Sequence, residues 1–120
     1  MKVRIKGNSL RYRLTKSEVS LFEKAGMLTE HIDFGDEVLI YAVEKAVNLQ
    51  EMKATFSHNT ITLYVPANLT ADWLRSDKVG FEQVSGRLQL LLEKDFQCLD
   101  NVAEDQSDNF PNPLAEKDHG

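Results

Sequence analysis

The chain has 120 residues, 42% of them apolar and 28% charged, a balance that suits one soluble globular domain with a core of its own. Its single cysteine, Cys98, excludes an intrachain disulfide and a cysteine-based metal cluster. No apolar run is long enough for a signal-peptide core or a membrane span, so a cytoplasmic location is expected by default.

The net charge of -5 is unevenly placed. Residues 1–99 hold 13 basic and 13 acidic side chains, whereas residues 100–120 hold six acids against Lys117. The first 16 residues reverse the bias, with Lys2, Arg4, Lys6, Arg11, Arg13 and Lys16 and no acid. Such asymmetry speaks of partners rather than of fold.

Residues 2–6 and 10–14 alternate basic and apolar, the period of half-buried strands, and Gly7-Asn8 supplies a two-residue turn between them. Thr15-Lys16-Ser17-Glu18 reads as a capping box, which predicts a helix over 16–25 that stops at Gly26. Val19, Phe22 and Ala25 would form its buried stripe. Strands are expected at 29–34 and 38–45, turning at Gly35-Asp36. A second hairpin is expected at 53–57 and 60–65 around His58-Asn59. Pro66 would then open a short helix carrying Leu69 and Trp73, and strands at 79–84 and 87–93 would pair around Ser85-Gly86.

The second half therefore follows the plan of the first. Met1 to Leu14 aligns without a gap on Met52 to Val65, an offset of 51 that Phe22 and Trp73 keep; Glu44-Lys45 meets Glu93-Lys94 at an offset of 49. A period of this size signals a repeated supersecondary unit. The expected fold is α+β: a duplicated β-β-α-β-β unit, with repeats at about 1–49 and 52–95, giving about eight strands and two helices. Short connections favour a mainly antiparallel, strongly curved sheet, closed into a barrel or left open. The domain ends near Leu99. The acidic, Pro-containing segment 100–120 is either disordered or lies across the domain with Phe110 as its anchor.

Two stretches resemble a known family when taken together. The first is Arg4-Ile5-Lys6-Gly7-Asn8-Ser9-Leu10 leading into Arg13-Leu14-Thr15-Lys16-Ser17-Glu18-Val19. The second is Glu93-Lys94-Asp95-Phe96-Gln97-Cys98-Leu99 followed by Glu104-Asp105 and by Asp108-Asn109-Phe110-Pro111-Asn112-Pro113. They resemble a family of small bacterial proteins known only as a domain of unknown function. The resemblance implies a bacterial cytoplasmic protein and carries over no activity, cofactor or site residue.

The candidate site is the first hairpin. A two-residue turn sets Arg4 opposite Arg11 and Lys2 opposite Arg13. Val3, Ile5, Leu10, Tyr12 and Leu14 then fill one face, and Lys2, Arg4, Lys6, Arg11 and Arg13 crowd the other. Like charges facing each other destabilise a sheet. The second hairpin places Thr55 opposite Thr62 and Lys53 opposite Tyr64, so the basic cluster belongs to the first half alone. The ordinary reading is a solvated face, or one matched by Glu44, Glu93 and Asp95. The sharper reading is a site for an anionic small molecule or an acidic protein segment. Nucleic acid fits poorly, because the whole chain is negative and the bases are not interleaved with exposed aromatics.

No zinc spacing, phosphate loop or nucleophile–histidine pattern is present. Asp100, Glu104, Asp105 and Asp108 are oxygen ligands without an EF-hand pattern. His31, His58, His119 and Cys98 show no ligand or nucleophile context. The expectation is a non-catalytic binding or interaction module without a cofactor, its acidic tail docked near Arg4, Arg11 and Arg13. The alternative is a polyphosphate or nucleotide phosphohydrolase, its substrate enclosed in an antiparallel barrel by inward Arg4, Arg11, Arg13, Glu44 and Glu93. Exposed strand edges leave a homo-oligomer open as well.

Overall fold

The computed structural model describes residues 1–96 and 107–111. Eight strands build two four-stranded sheets: β1 Lys2–Lys6, β2 Ser9–Leu14, β3 Met27–Asp33, β4 Val38–Ala46, β5 Lys53–Ser57, β6 Thr60–Pro66, β7 Gly80–Ser85 and β8 Leu88–Lys94. One sheet runs β1-β2-β8-β7 and the other β3-β4-β6-β5. Each contains two antiparallel hairpins joined by a central parallel pair, β2 with β8 and β4 with β6.

The fold is α+β, as expected, but its sheets and helices differ from the expectation in detail. Four of the six strand pairs are antiparallel, as expected, but each sheet is mixed, because the first hairpin pairs in parallel with the last one, not with its neighbour in sequence. Among the described residues they do not close into a barrel; β1, β7, β3 and β5 are their edges, and β1 bears Lys2, Arg4 and Lys6, charges of the kind that protect an edge. Among the described residues one α-helix forms, α1 at Lys16–Ala25. The second helix reduces to a three-residue 3-10 turn, η1, at Trp73–Arg75. Asp72 just before it is left-handed, with φ 59°, which breaks a helix started at Pro66. Thr70 is buried there, and its Oγ1 donates to Ala67 O at 3.4 Å, holding a turn instead.

The helix begins and ends as its sequence dictates. Thr15 N donates to Glu18 Oε1 at 2.9 Å, one leg of the capping box. Gly26 closes it at φ 80°, its N–H donating to Phe22 O at 2.9 Å. Val19 and Phe22 face the core, but Ala25, expected in the same buried stripe, is exposed.

The strand registers place all four hairpin turns at one pole and the crossovers at the other. Between the sheets lie Tyr12, Leu14, Val43, Leu63, Val65, Leu90 and Leu92, all fully buried. Phe22 and Trp73, also buried, plug the crossover pole. The Tyr12 hydroxyl donates to Ile61 O at 3.5 Å, tying one sheet to the other. β7 runs so close to β8 that a Cβ on Gly80 would meet Leu92 O at 2.1 Å.

Several contacts recur in both halves. Ile40 N donates to Asn59 O at 2.9 Å and Gln89 N to Asn8 O at 3.0 Å. Lys45 N donates to Gly26 O and Lys94 N to Val79 O, at 2.8 and 2.9 Å. Lys45 Nζ donates to Glu23 O at 2.6 Å and stands 5.8 Å from the Phe22 ring centre. Lys94 Nζ donates to Ser76 O at 2.7 Å and stands 6.0 Å from that of Trp73. Burial holds the Lys94 pKa below the ordinary lysine value.

Candidate functional site: a basic hairpin face

The register of the first hairpin is the expected one: Lys2 opposite Arg13, Arg4 opposite Arg11, Lys6 opposite Ser9. Tyr12 and Leu14 are buried on the inner face, so strand alternation sends Arg4, Arg11 and Arg13 outward. All five candidate residues stand on this outer face, but they are not equivalent.

Parallel pairing with β8 sets Arg13 beside Glu93. The Nε atoms of Arg11 and Arg13 both lie 3.4 Å from Glu93 Oε1. Lys2 Nζ lies 3.3 Å from Asp95 Oδ2. Two of the three acids named from sequence therefore serve this face. Glu44 does not, because β4 belongs to the other sheet, where Glu44 pairs with Met27 and Tyr64.

Arg4 and Lys6 have no ion-pair partner among the described residues. With Ser9 and Arg11 they line a small polar recess of about 150 Å³. A wider depression of about 730 Å³ adjoins it, with Lys6, Ser9 and Arg11 on one side and Glu82, Gln89 and Glu93 on the other. Glu82 is engaged there by Gln89 Nε2, which donates to its Oε1 at 2.6 Å. Among the described residues, the positive charge without an ion-pair partner on this face thus concentrates at the hairpin tip.

The enclosed polar lumen required by the phosphohydrolase alternative is absent among the described residues. The space between the sheets is apolar, and the arginines are outside it. His31 and His58 join no metal-ligating cluster among the described residues. Cys98, His119, Asp100, Glu104 and Asp105 lie outside the described residues.

The described part of the tail docks, but not on the arginine face. Lys16 N donates to Asp108 O at 3.1 Å, and Ser17 Oγ donates to Asp108 Oδ2 at 2.7 Å. Hydrogen bonds from Ser17 and Thr15 hold the Asp108 carboxyl below its ordinary pKa. Phe110 N donates to Asp95 O at 2.8 Å, and the Phe110 ring meets Phe96 edge-on at 5.9 Å. Phe110 is the anchor named from sequence. It packs beside Lys94 and Phe96 at the end of β8, while Asp108 meets the start of α1 at the crossover pole, where an acid suits the exposed N–H groups of a helix N-terminus. The rest of the expected arm, 100–106 and 112–120, lies outside the described residues.

Sequence reasoning missed the importance of Ser9, which borders both polar recesses and also an apolar cleft on the inner side of the hairpin. Its position opposite Lys6 was legible; the convergence of three cavities on it was not.

A family model for proteins of unknown function matches residues 1–114. The chain belongs to this family, DUF7009. No curated protein and no solved structure gives a significant match. No described helix is long and apolar enough to cross a membrane.

Proposed function

We propose that this DUF7009 member is a non-catalytic binding module whose basic hairpin face receives an anionic ligand or an acidic segment of a partner. The observation that carries the reading is the contrast within the cluster. Arg11 and Arg13 are matched by Glu93, and Lys2 by Asp95, whereas Arg4 and Lys6 meet no acid among the described residues and line a polar recess. Two cations held at neighbouring positions on a rigid hairpin are preorganised for an anion, and an arginine offers a bidentate fork.

The reading extends to architecture. We infer that the two halves descend from one unit. Ser9 pairs with Gln89 in one sheet and Thr60 with Ile40 in the other, which is the same register carried over at offsets of 51 and 49. The recurrent lysine–aromatic contacts at Lys45–Phe22 and Lys94–Trp73 keep these offsets as well. On this view the second hairpin, with Thr55 and Ser57 where the first has Arg4 and Lys6, is the same scaffold without the site.

Titration of the full chain with inorganic pyrophosphate, followed by backbone and arginine Nε resonances, tests the binding reading. Saturable shifts at Arg4, Lys6 and Ser9 are expected, weakening as salt rises. The Arg4→Thr/Lys6→Ser double variant, which copies the second hairpin, should abolish them. Equal shifts in both proteins would remove the basis of the site.

A further inference from the structure

The two poles of the sandwich differ. At the crossover pole the core is plugged by Phe22 and Trp73. At the turn pole it is not. A cleft of about 310 Å³ opens between the sheets there, walled by Ile5, Leu10, Leu39, Phe56, Ile61 and Leu88. These six form three pairs at the repeat offsets, so both halves contribute alike. Ile5 and Phe56 stand at the mouth, 61% and 71% exposed. An apolar cleft of this size is at the lower end of ligand pockets, and water gains little by filling it.

One side of the mouth is charged. Ser9 and Gly7 border both the cleft and the outer depression, and Ser9 also borders the recess of Arg4 and Lys6. Apolar wall and the cations Arg4 and Lys6 are thus the two faces of one hairpin, meeting at its tip. The equivalent tip of the second hairpin offers Ser57 in place of Lys6. A ligand that uses both features needs a slender apolar tail and one anionic end.

We propose that the cleft takes the tail of a straight-chain fatty carboxylate, with its head over Ser9 and held by Lys6 and Arg4. The head-group half of this proposal rests on the anion-binding reading above; the tail half rests on the cleft. Tail burial supplies the affinity, because each methylene that leaves water for the apolar wall adds to binding. The cations supply the preference for a charged end.

The test uses the full chain with labelled methyl groups, titrated with decanoate or decanol below the concentration at which either aggregates. Decanoate is expected to shift the methyls of Ile5, Leu39 and Leu88 saturably and to bind at least tenfold more tightly than decanol. The Arg4→Thr/Lys6→Ser variant should lose that preference while still binding decanol. Leu88→Trp should block both ligands and leave the pyrophosphate response intact. The wild-type methyl shifts decide the matter if that variant does not fold. Unmoved cleft methyls alongside a normal pyrophosphate response would overturn this proposal and spare the anion site. Equal binding of decanoate and decanol would overturn it too. So would sedimentation showing a dimer that decanoate cannot dissociate, since a second copy would then be the occupant of the cleft.

Discussion

Arg13 and Glu93 face each other across the parallel pair β2–β8, with Nε 3.4 Å from Oε1, and the same carboxylate oxygen lies 3.4 Å from Arg11 Nε. One acid thus restrains two arginines that would otherwise repel. Strands about 80 positions apart in the sequence are locked together by charge on the outside and by Leu14, Leu90 and Leu92 on the inside.

Glu93→Gln should therefore destabilise the protein by about 1 kcal/mol at low salt, the upper range for a partly exposed pair. The loss should shrink at high salt, where repulsion between Arg11 and Arg13 is screened. Denaturant unfolding at two ionic strengths measures both. A loss independent of salt would mean that Glu93 acts by packing rather than by charge.

Arg4→Thr should be neutral or stabilising by up to about 0.5 kcal/mol, because it removes the charge opposite Arg11 and breaks no ion pair among the described residues. The same unfolding assay checks this. A clear loss would show that Arg4 has a structural partner.

The dock of Asp108 on Ser17 should depend on acid pH. Its folded pKa is depressed below the ordinary 3.8, so its stabilising effect is fully present at neutral pH, where both states are ionised. It fades as pH falls below about 3.8 and through the folded value. Melting temperatures of the wild type and Asp108→Asn should differ at pH 7 and converge in strong acid. A gap that stays constant with pH would refute the charged contact.

Gly80→Ala should cost about 2 kcal/mol, since the new methyl would meet backbone of β8 that cannot retreat without breaking the ladder. Urea unfolding is the measurement, and an unchanged midpoint would contradict the close approach.

His58→Gly should stabilise by about 1 kcal/mol, because His58 sits at φ 52° in the second hairpin turn. Thermal unfolding checks it. Destabilisation would mean that the His58 side chain contributes contacts that outweigh its backbone strain.

The sequence by itself determined what depends on neighbours along the chain. The capping box and Gly26 set the helix over 16–25 because their hydrogen bonds close within a few residues. Gly7-Asn8 and His58-Asn59 set two hairpins and, with them, the facing of Arg4 and Arg11. The alternation of Lys2 to Leu14 decided which side chains point out. Tertiary structure alone decided the rest. Whether β2 pairs with β8 is settled by burial of Tyr12, Leu14, Leu90 and Leu92, and no local signal encodes a partner 80 residues away. The same pairing brought Glu93, but not Glu44, to the arginines. The left-handed Asp72 and the buried Thr70 turned an expected helix into a turn. The cleft at Ser9 exists only because the ends of two sheets stand apart, and a gap between surfaces is written in no single segment of the chain.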